Sequence, residues 1–245
     1  MNEVINLLQS RSSVRKFTDQ NISQDTLDEF IKCGQAAATS SFIQACTVIQ
    51  VEDKNKRNLL VDLAGSQSYV ASAAKFLVFC ADMNRHKLVC DMHNSKMESG
   101  YTEQFITATV DVALFAQNVI TAAQSLGIQG VYIGGIRNNI AEVSELLELP
   151  TLVYPVFGMC LGYPAQDPET KPRLPLSVVL KTDYYQDDSD TKTISKYDEQ
   201  VREYYRSRTG GTKETTWSEQ IADMLIKEAR PHMKACLKDR GFLLK

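Results

Sequence analysis

Histidine is scarce here, and the residues present, His86, His93 and His232, stand at no spacing that suits a metal centre. No CxxC pair occurs among Cys33, Cys46, Cys80, Cys90, Cys160 and Cys236, so a disulfide framework is not expected. Several of these sit in apolar runs, "FLVFC" and "VFGMC", and read as small buried hydrophobes in a reducing compartment. GxGxxG and GxxxxGK[ST] are absent, which excludes a dinucleotide fingerprint and a P-loop. No GxSxG elbow appears, and no cysteine has an activating histidine nearby, so neither nucleophilic nor metal-based chemistry is expected. Any reaction would fall to a bound cofactor. Positive charge is not in excess: the net charge is -3 and the pI about 5.7. A nucleic-acid surface or an anionic-membrane surface is therefore not expected. "MNEVINLLQS" has no basic segment followed by an apolar core, so the expected location is cytoplasmic. The longest apolar stretch, 105–126, contains Asp111, Gln117 and Asn118 and reads as a buried helix, not a membrane span.

What remains is an ordinary globular composition, 43% hydrophobic and 23% charged over 245 residues, without repeats or low-complexity tracts. Helical spacing marks residues 2–10, and Ser23 should cap a second helix, with Ile22 and Leu27 as a hydrophobic staple. Leu27, Phe30, Ile31 and Ala38 should line its inner face. Segments 47–51 and 75–82 read as strands separated by a polar helix near 54–64, and the second, apolar on both faces, should be central in a sheet. Residues 102–126 predict a long helix, apolar nearly all round and so covered on all sides, with a partner subunit as one source of that cover, that ends at Gly127. A short strand, 130–135, stops at two glycines. Asn139 and Glu142 suggest a capping box for a helix through Leu147, and "LVYPVFGMCLGYPA" is another strand. This alternation indicates an α/β or α+β sheet domain spanning 1–245, with 190–245 as a C-terminal arm over the core or a partner.

Four stretches carry chemical content. In "RSSVRKFT", Arg11, Ser13 and Arg15 share a face if the chain is extended, and Arg11 and Arg15 still share one if it is helical. Both conformations converge guanidiniums that suit phosphate, although a helix-capping Arg11 and a solvated Arg15 would look the same. "KPRLP" repeats the pattern, with Pro172 holding Lys171 and Arg173 extended, as a second phosphate clamp or a solvated turn. "TSSFIQ" offers three hydroxyls and Phe42, as a pocket wall or an ordinary loop. "GVYIGGIRN" brings Gly134 and Gly135 to a strand end, where a flat ligand can approach the backbone or the chain simply turns.

The ordered set "RSSVRKFT", "TSSFIQ", "GSQSYV", "VFCADMNRH", "GVYIGGIRNNI", "VFGMCLGYPA", "KPRLP" and "TWSEQI" resembles the nitroreductase superfamily of flavoproteins over essentially the whole chain. It is similar to the group A oxygen-insensitive NADPH nitroreductases and their relatives, the NADPH–flavin oxidoreductases. The resemblance implies an α+β fold with a mixed β-sheet flanked by helices, in an intertwined homodimer with FMN at the subunit interface. By position it makes Arg11, Ser13, Lys171 and Arg173 contacts of the FMN phosphate and ribityl chain. Arg15 would lie near the flavin N1/O2 edge, and Thr39, Ser40 and Ser41 would flank the ring, with Phe42 beside the substrate. Gln67 and Tyr69 match further flavin contacts. Tyr132, Ile133, Gly134 and Gly135 would pack on the isoalloxazine, with the Gly134 N–H toward N5. Arg208, with Arg206 nearby, matches the position that meets the NADPH 2′-phosphate, and Arg230 the substrate mouth. Ser12 stands at a cofactor-binding position where the family often has a basic residue, and the loop before residue 101 is longer than the family pattern. The implied activity is two-electron reduction of nitroaromatics, nitrofurans or quinones by NADPH through FMN. Reduction of free flavin is the nearest alternative, and a non-catalytic flavin-binding protein a distant one.

Overall fold

A computed structural model describes residues 2–245. In chain order the helices are α1 (Glu3–Gln9), α2 (Gln24–Gln35), α3 (Lys54–Leu63), α4 (Tyr69–Ser72), α5 (Asn84–Met92), α6 (Thr102–Ser125) and α7 (Ile140–Leu146), then α8 (Leu176–Val179), α9 (Asp190–Thr209), α10 (Trp217–Leu225) and α11 (Met233–Asp239). The strands are β1 (Cys46–Gln50), β2 (Lys75–Asp82), β3 (Gln129–Ile133) and β4 (Val153–Gly162). Two compact units result, one of residues 1–167 with 230–245, the other of residues 168–229. The second unit thus begins before residue 190, and Arg230–Lys245 returns to the first, where the Leu152 N–H donates to the Arg240 carbonyl at 2.7 Å.

In the first unit the strands form one sheet of order β1-β2-β4-β3. The expected mixed sheet is antiparallel in every pairing. β2 is central and buried from Phe76 onward, as its two apolar faces predict. Its alternate residues serve two cores. Leu77, Phe79 and Ala81 pack with Leu27 and Phe30 of α2 and with Val112, Ala116 and Ile120 of α6. Phe76, Val78 and Cys80 face Leu60 of α3, Val70 of α4 and Val143 of α7. The sheet is therefore a middle layer between helices.

Local chemistry sets several boundaries. The Thr26 N–H donates to the Ser23 hydroxyl at 3.1 Å, and Ile22 and Leu27 are both buried beside it, so cap and staple form as expected. Ala38 falls beyond the end of α2 and is exposed. No capping box forms at Asn139; its amide donates instead to the Leu63 carbonyl at 2.8 Å, tying α7 to α3. α5 arises where no element was expected, because its apolar residues Leu88, Val89 and Met92 are exposed and leave no buried stripe to read.

Within a single chain the long helix α6 is covered on one face only. Ala108, Val112, Ala116 and Ile120 are buried, whereas Ile106, Val110 and Leu114 are 44–49% exposed. It is also the one described helix long and apolar enough to cross a membrane, but its inner face packs on the sheet.

The second unit is built on α9 and α10. Thr216 and Glu219 form a reciprocal capping box at the start of α10. Asp198 of α9 accepts the Ser218 N–H at 2.9 Å, and Tyr197 meets Trp217 edge-on at 6.0 Å.

Replacing Ser23 by Ala should remove the α2 cap and lower stability by about 1 kcal/mol, read from the urea midpoint, while Ser23→Asn should hold it near wild type.

Candidate active site at the end of strand β3

The "RSSVRKFT" segment is extended. Its backbone runs beside the sheet, with the Val14 N–H on the Gly130 carbonyl at 3.2 Å and the Thr18 N–H on the Tyr163 carbonyl at 2.9 Å. Val14 is buried, which fixes the side from which its neighbours project. The Arg11 guanidinium lies 5.9 Å from the centre of the Tyr132 ring on β3. Burial pushes the Tyr132 phenol up to about 12, against the opposing charge of Arg11. Ser12 and Ser13 are half-buried on the same segment, and Arg15 is exposed with no carboxylate in ion-pair range among the described residues.

β3 ends at two glycines that differ in surroundings. A β-carbon on Gly135 would stand 2.2 Å from the Ala64 carbonyl oxygen and 2.3 Å from the Gln67 amide nitrogen, so the protein itself fills that space. On Gly134 its three nearest neighbours would be Arg137 guanidinium atoms at 3.4–3.8 Å, an ordinary contact with the end of a flexible side chain, so Gly134 has room where Gly135 has none. Ile133 is wholly buried in the core, which leaves only its backbone toward the site.

Gln67 and Tyr69 join this group through Gly135. The Gln67 amide donates to the Ala64 carbonyl at 2.7 Å, and its oxygen accepts the Tyr69 hydroxyl at 2.6 Å. Arg57 braces the same segment from α3, donating to the Val70 and Ala73 carbonyls at 3.1 and 2.6 Å. Arg137 is a site residue that motif reading passed over, although "GGIRN" displays it two positions after the glycines. It donates to the Val156 carbonyl, and burial first, then the charge of Arg230, hold its guanidinium below the ordinary arginine value. Arg230 donates to the Asn138 side chain at 2.9 Å. Arg11, Arg137 and Arg230 thus give the β3 end a positive field with an open glycine in it, suited to an anionic ligand with a flat ring.

The Thr39–Phe42 residues stand apart, on a turn held by α5 and α6. Ser41, Phe42 and Gln44 have φ of 48°, 60° and 54°. Left-handed backbone costs a non-glycine residue roughly 1–2 kcal/mol, so the turn needs fixing from outside. The buried Asp111 carboxylate accepts the Ser40 and Ala45 N–H groups at 3.1 and 3.3 Å. Arg85 donates to the Gln44 carbonyl at 3.0 Å, and the His86 Nε2–H to the Ile43 carbonyl at 2.6 Å. Phe42 is 82% exposed, and the Ser40 and Ser41 hydroxyls make no hydrogen bond among the described residues. Beside the turn lies a cavity of about 460 Å³ lined by Thr39, Ile43, Cys46, His86 and Phe115. No hydrogen bond or ring contact among the described residues links this turn to the β3 group.

Lys171, Arg173, Arg206 and Arg208 belong to the second unit. Lys171 and Arg173 line a cavity of about 490 Å³ with Tyr197, Tyr205 and Trp217. Burial pushes the Tyr205 phenol up, but the hydrogen bond from Lys171 and the charges of Lys171 and Lys213 carry it below the ordinary value. Arg206 is paired with Glu214 at 3.2 Å and Glu203 at 3.5 Å. Arg208 stacks over Tyr204 at 5.9 Å and has no carboxylate partner among the described residues, so its charge is available to an incoming anion.

Residues 8–163 match the nitroreductase family, and residues 171–245 match the nitroreductase family, C-terminal domain. The chain belongs to the nitroreductase family. A relative from Salmonella typhimurium, named oxygen-insensitive NADPH nitroreductase, is 45% identical, with 99% of each chain covered. The solved structure of NfrA1 from B. megaterium superposes with a TM-score of 0.97 at 41% identity, over 99% of this chain and 100% of that one. The NADPH:FMN oxidoreductase from Vibrio harveyi, solved in complex with NAD+, gives a TM-score of 0.92 at 40% identity with both chains fully covered, 100% of each. This member of the nitroreductase family shares the fold of those proteins from end to end.

The two glycines should respond differently to a methyl group. Gly135→Ala should cost about 1–3 kcal/mol in urea unfolding, because backbone and Gln67 must move. Gly134→Ala should stay within about 0.5 kcal/mol of wild type.

Proposed function

We propose that this nitroreductase-family protein is an FMN-dependent NADPH oxidoreductase that reduces nitroaromatics, nitrofurans and quinones by two electrons. The observation that carries the reading is Gly134, which has room for a β-carbon and lies beside Arg137, at the end of a strand flanked by Arg11. Residues there fit the cofactor: cations for its phosphate, a position without a β-carbon for its ring, and no side-chain nucleophile to compete. When bound, FMN accepts a hydride from NADPH and passes two electrons to the acceptor. The names of the Salmonella and Vibrio relatives support the same pair of cofactor and reductant.

Each residue then has a task. Arg11, Ser12 and Ser13 hold the FMN phosphate and ribityl chain; in the second unit Lys171 and Arg173 are the cations suited to a phosphate. Arg15 is an exposed fixed cation that favours negative charge on the bound ring. Gln67, Tyr69, Tyr132, Ile133, Gly134 and Gly135 shape the ring's bed, and Thr39, Ser40 and Ser41 close it, with Phe42 and Arg230 at the mouth. Arg208 receives the NADPH 2′-phosphate. Arg206, already paired with Glu203 and Glu214, contributes less to that recognition. A homodimer accounts for the bare stripe of Ile106, Val110 and Leu114 on α6, and for a Thr39–Phe42 turn that stands apart from β3. All the cysteines are free, which suits the cytoplasm.

The purified protein should show a flavin band that bleaches anaerobically with one equivalent of NADPH and returns on adding a nitrofuran. Protein that stays colourless in the presence of FMN would refute the reading. Faster turnover with free FMN than with nitrofurans would instead make free flavin the acceptor.

Arg15→Ala should slow reduction of the flavin about tenfold or more while FMN affinity changes less, because a lost charge-assisted contact costs about 1.5–3 kcal/mol. Equal reduction rates would remove Arg15 from that role. Arg208→Ala should raise KM for NADPH about tenfold and leave KM for NADH nearly unchanged; parallel shifts would contradict 2′-phosphate recognition.

A further inference from the structure

The turn at 39–45 is strained yet well ordered in its bonding. Three non-glycine residues, Ser41, Phe42 and Gln44, lie in the left-handed region. Its own hydrogen bonds are short-range: the Ile43 N–H reaches the Ser40 carbonyl at 2.9 Å and the Gln44 N–H the Thr39 hydroxyl at 3.2 Å. Those bonds close the turn on itself but do not attach it to the body of the protein. Attachment comes from the Asp82 N–H, which donates to the Ala45 carbonyl at 3.0 Å, and from three side chains on two helices. Arg85 and His86 of α5 take its carbonyls. Asp111 of α6 takes its amides, one at each end.

Asp111 is the acidic anchor of this set. It is 3% exposed on α6 and lines the cavity beside the turn, where buried oxygens need hydrogen-bond partners. One oxygen takes the Ser40 N–H and the other the Ala45 N–H. A carboxylate puts an acceptor at both positions; an amide in the same place would present N–H to one of the donors. The bonds span the turn, so they fix both ends of the segment that carries the Ser40 and Ser41 hydroxyls and the Phe42 ring outward.

We propose that Asp111 is a positioning residue, whose carboxylate locks the Thr39–Ala45 turn in its left-handed form so that Ser40, Ser41 and Phe42 are preset for the flavin and its acceptor. This rests on the flavin reading given above. It gives a task to the buried acid of an otherwise apolar helix face, which core packing does not explain. Loss of the lock lets the turn relax, and a relaxed turn must be ordered again each time ligand binds, which weakens binding.

The test compares full-length wild type with Asp111→Asn by amide hydrogen exchange and by FMN titration followed by fluorescence. In Asp111→Asn the Ser40 and Ala45 amides should exchange about tenfold faster or more, the β2 amides should keep their wild-type rates, and the Kd for FMN should rise about tenfold. Adding Gln44→Gly to Asp111→Asn should recover part of the FMN affinity, because glycine adopts positive φ without strain. Unchanged exchange at Ser40 and Ala45 would overturn the lock, and faster exchange with unchanged FMN affinity would overturn the positioning role. If Asp111→Asn does not fold, Asp111→Glu carries the same readouts, with about threefold effects expected and unchanged values overturning the proposal. Should wild type bind no FMN, the flavin reading falls and the positioning role with it, while slow exchange at Ser40 and Ala45 would still distinguish that outcome from failure of the lock.

Discussion

Pairing of β2 with β4 is the constraint on which the first unit depends. Both strands are buried on both faces, from Phe76 to Asp82 and through most of Val153–Gly162. A strand pair with no polar face has no room for a ligand, a charge or water between its layers. Polar chemistry is therefore displaced to the sheet's margins. β3 is an outer strand, and its exit carries Gly134 and the cluster of arginines; the extended Arg11–Thr18 segment adds its own charges along that margin. The position of the candidate site thus follows from the packing of residues that take no part in it.

Much of this was readable from local signals. Ser23 caps α2 because a hydroxyl three residues before a free amide can act within one turn. β2 is central because nothing polar interrupts it. Signals failed where the deciding partner was distant. Asn139 precedes a helix as a cap should, but the Leu63 carbonyl, 76 residues away in sequence, claims its amide. Strand direction in the sheet is a property of connections, and apolar runs look alike in either direction. The bare face of α6 was hidden because composition alone does not say which apolar residues find neighbours.

The candidate site divides the same way. Arginines and glycines announced themselves by type and spacing. Asp111 was visible only as an interruption in an apolar helix, and its partners Ser40 and Ala45 lie 71 and 66 positions upstream. Arg57 gave no signal, since its role is to bond the carbonyls at the end of a four-residue helix, α4. Gly135 and Gly134 read identically as a pair, and only the Ala64 carbonyl behind one of them separates a packing glycine from an open one.

The cysteines carry a practical consequence. Burial raises the Cys46 thiol to about 12 and lifts Cys80 and Cys160 further, so almost no thiolate forms there near neutrality. Cys33 is different: it is exposed, and it sits on α2 just ahead of the Thr39–Ala45 turn, with its carbonyl held by Asn118 of α6. A maleimide dye would therefore find its most accessible target at Cys33, a reporter mounted next to the segment whose motion matters, with no engineered cysteine required.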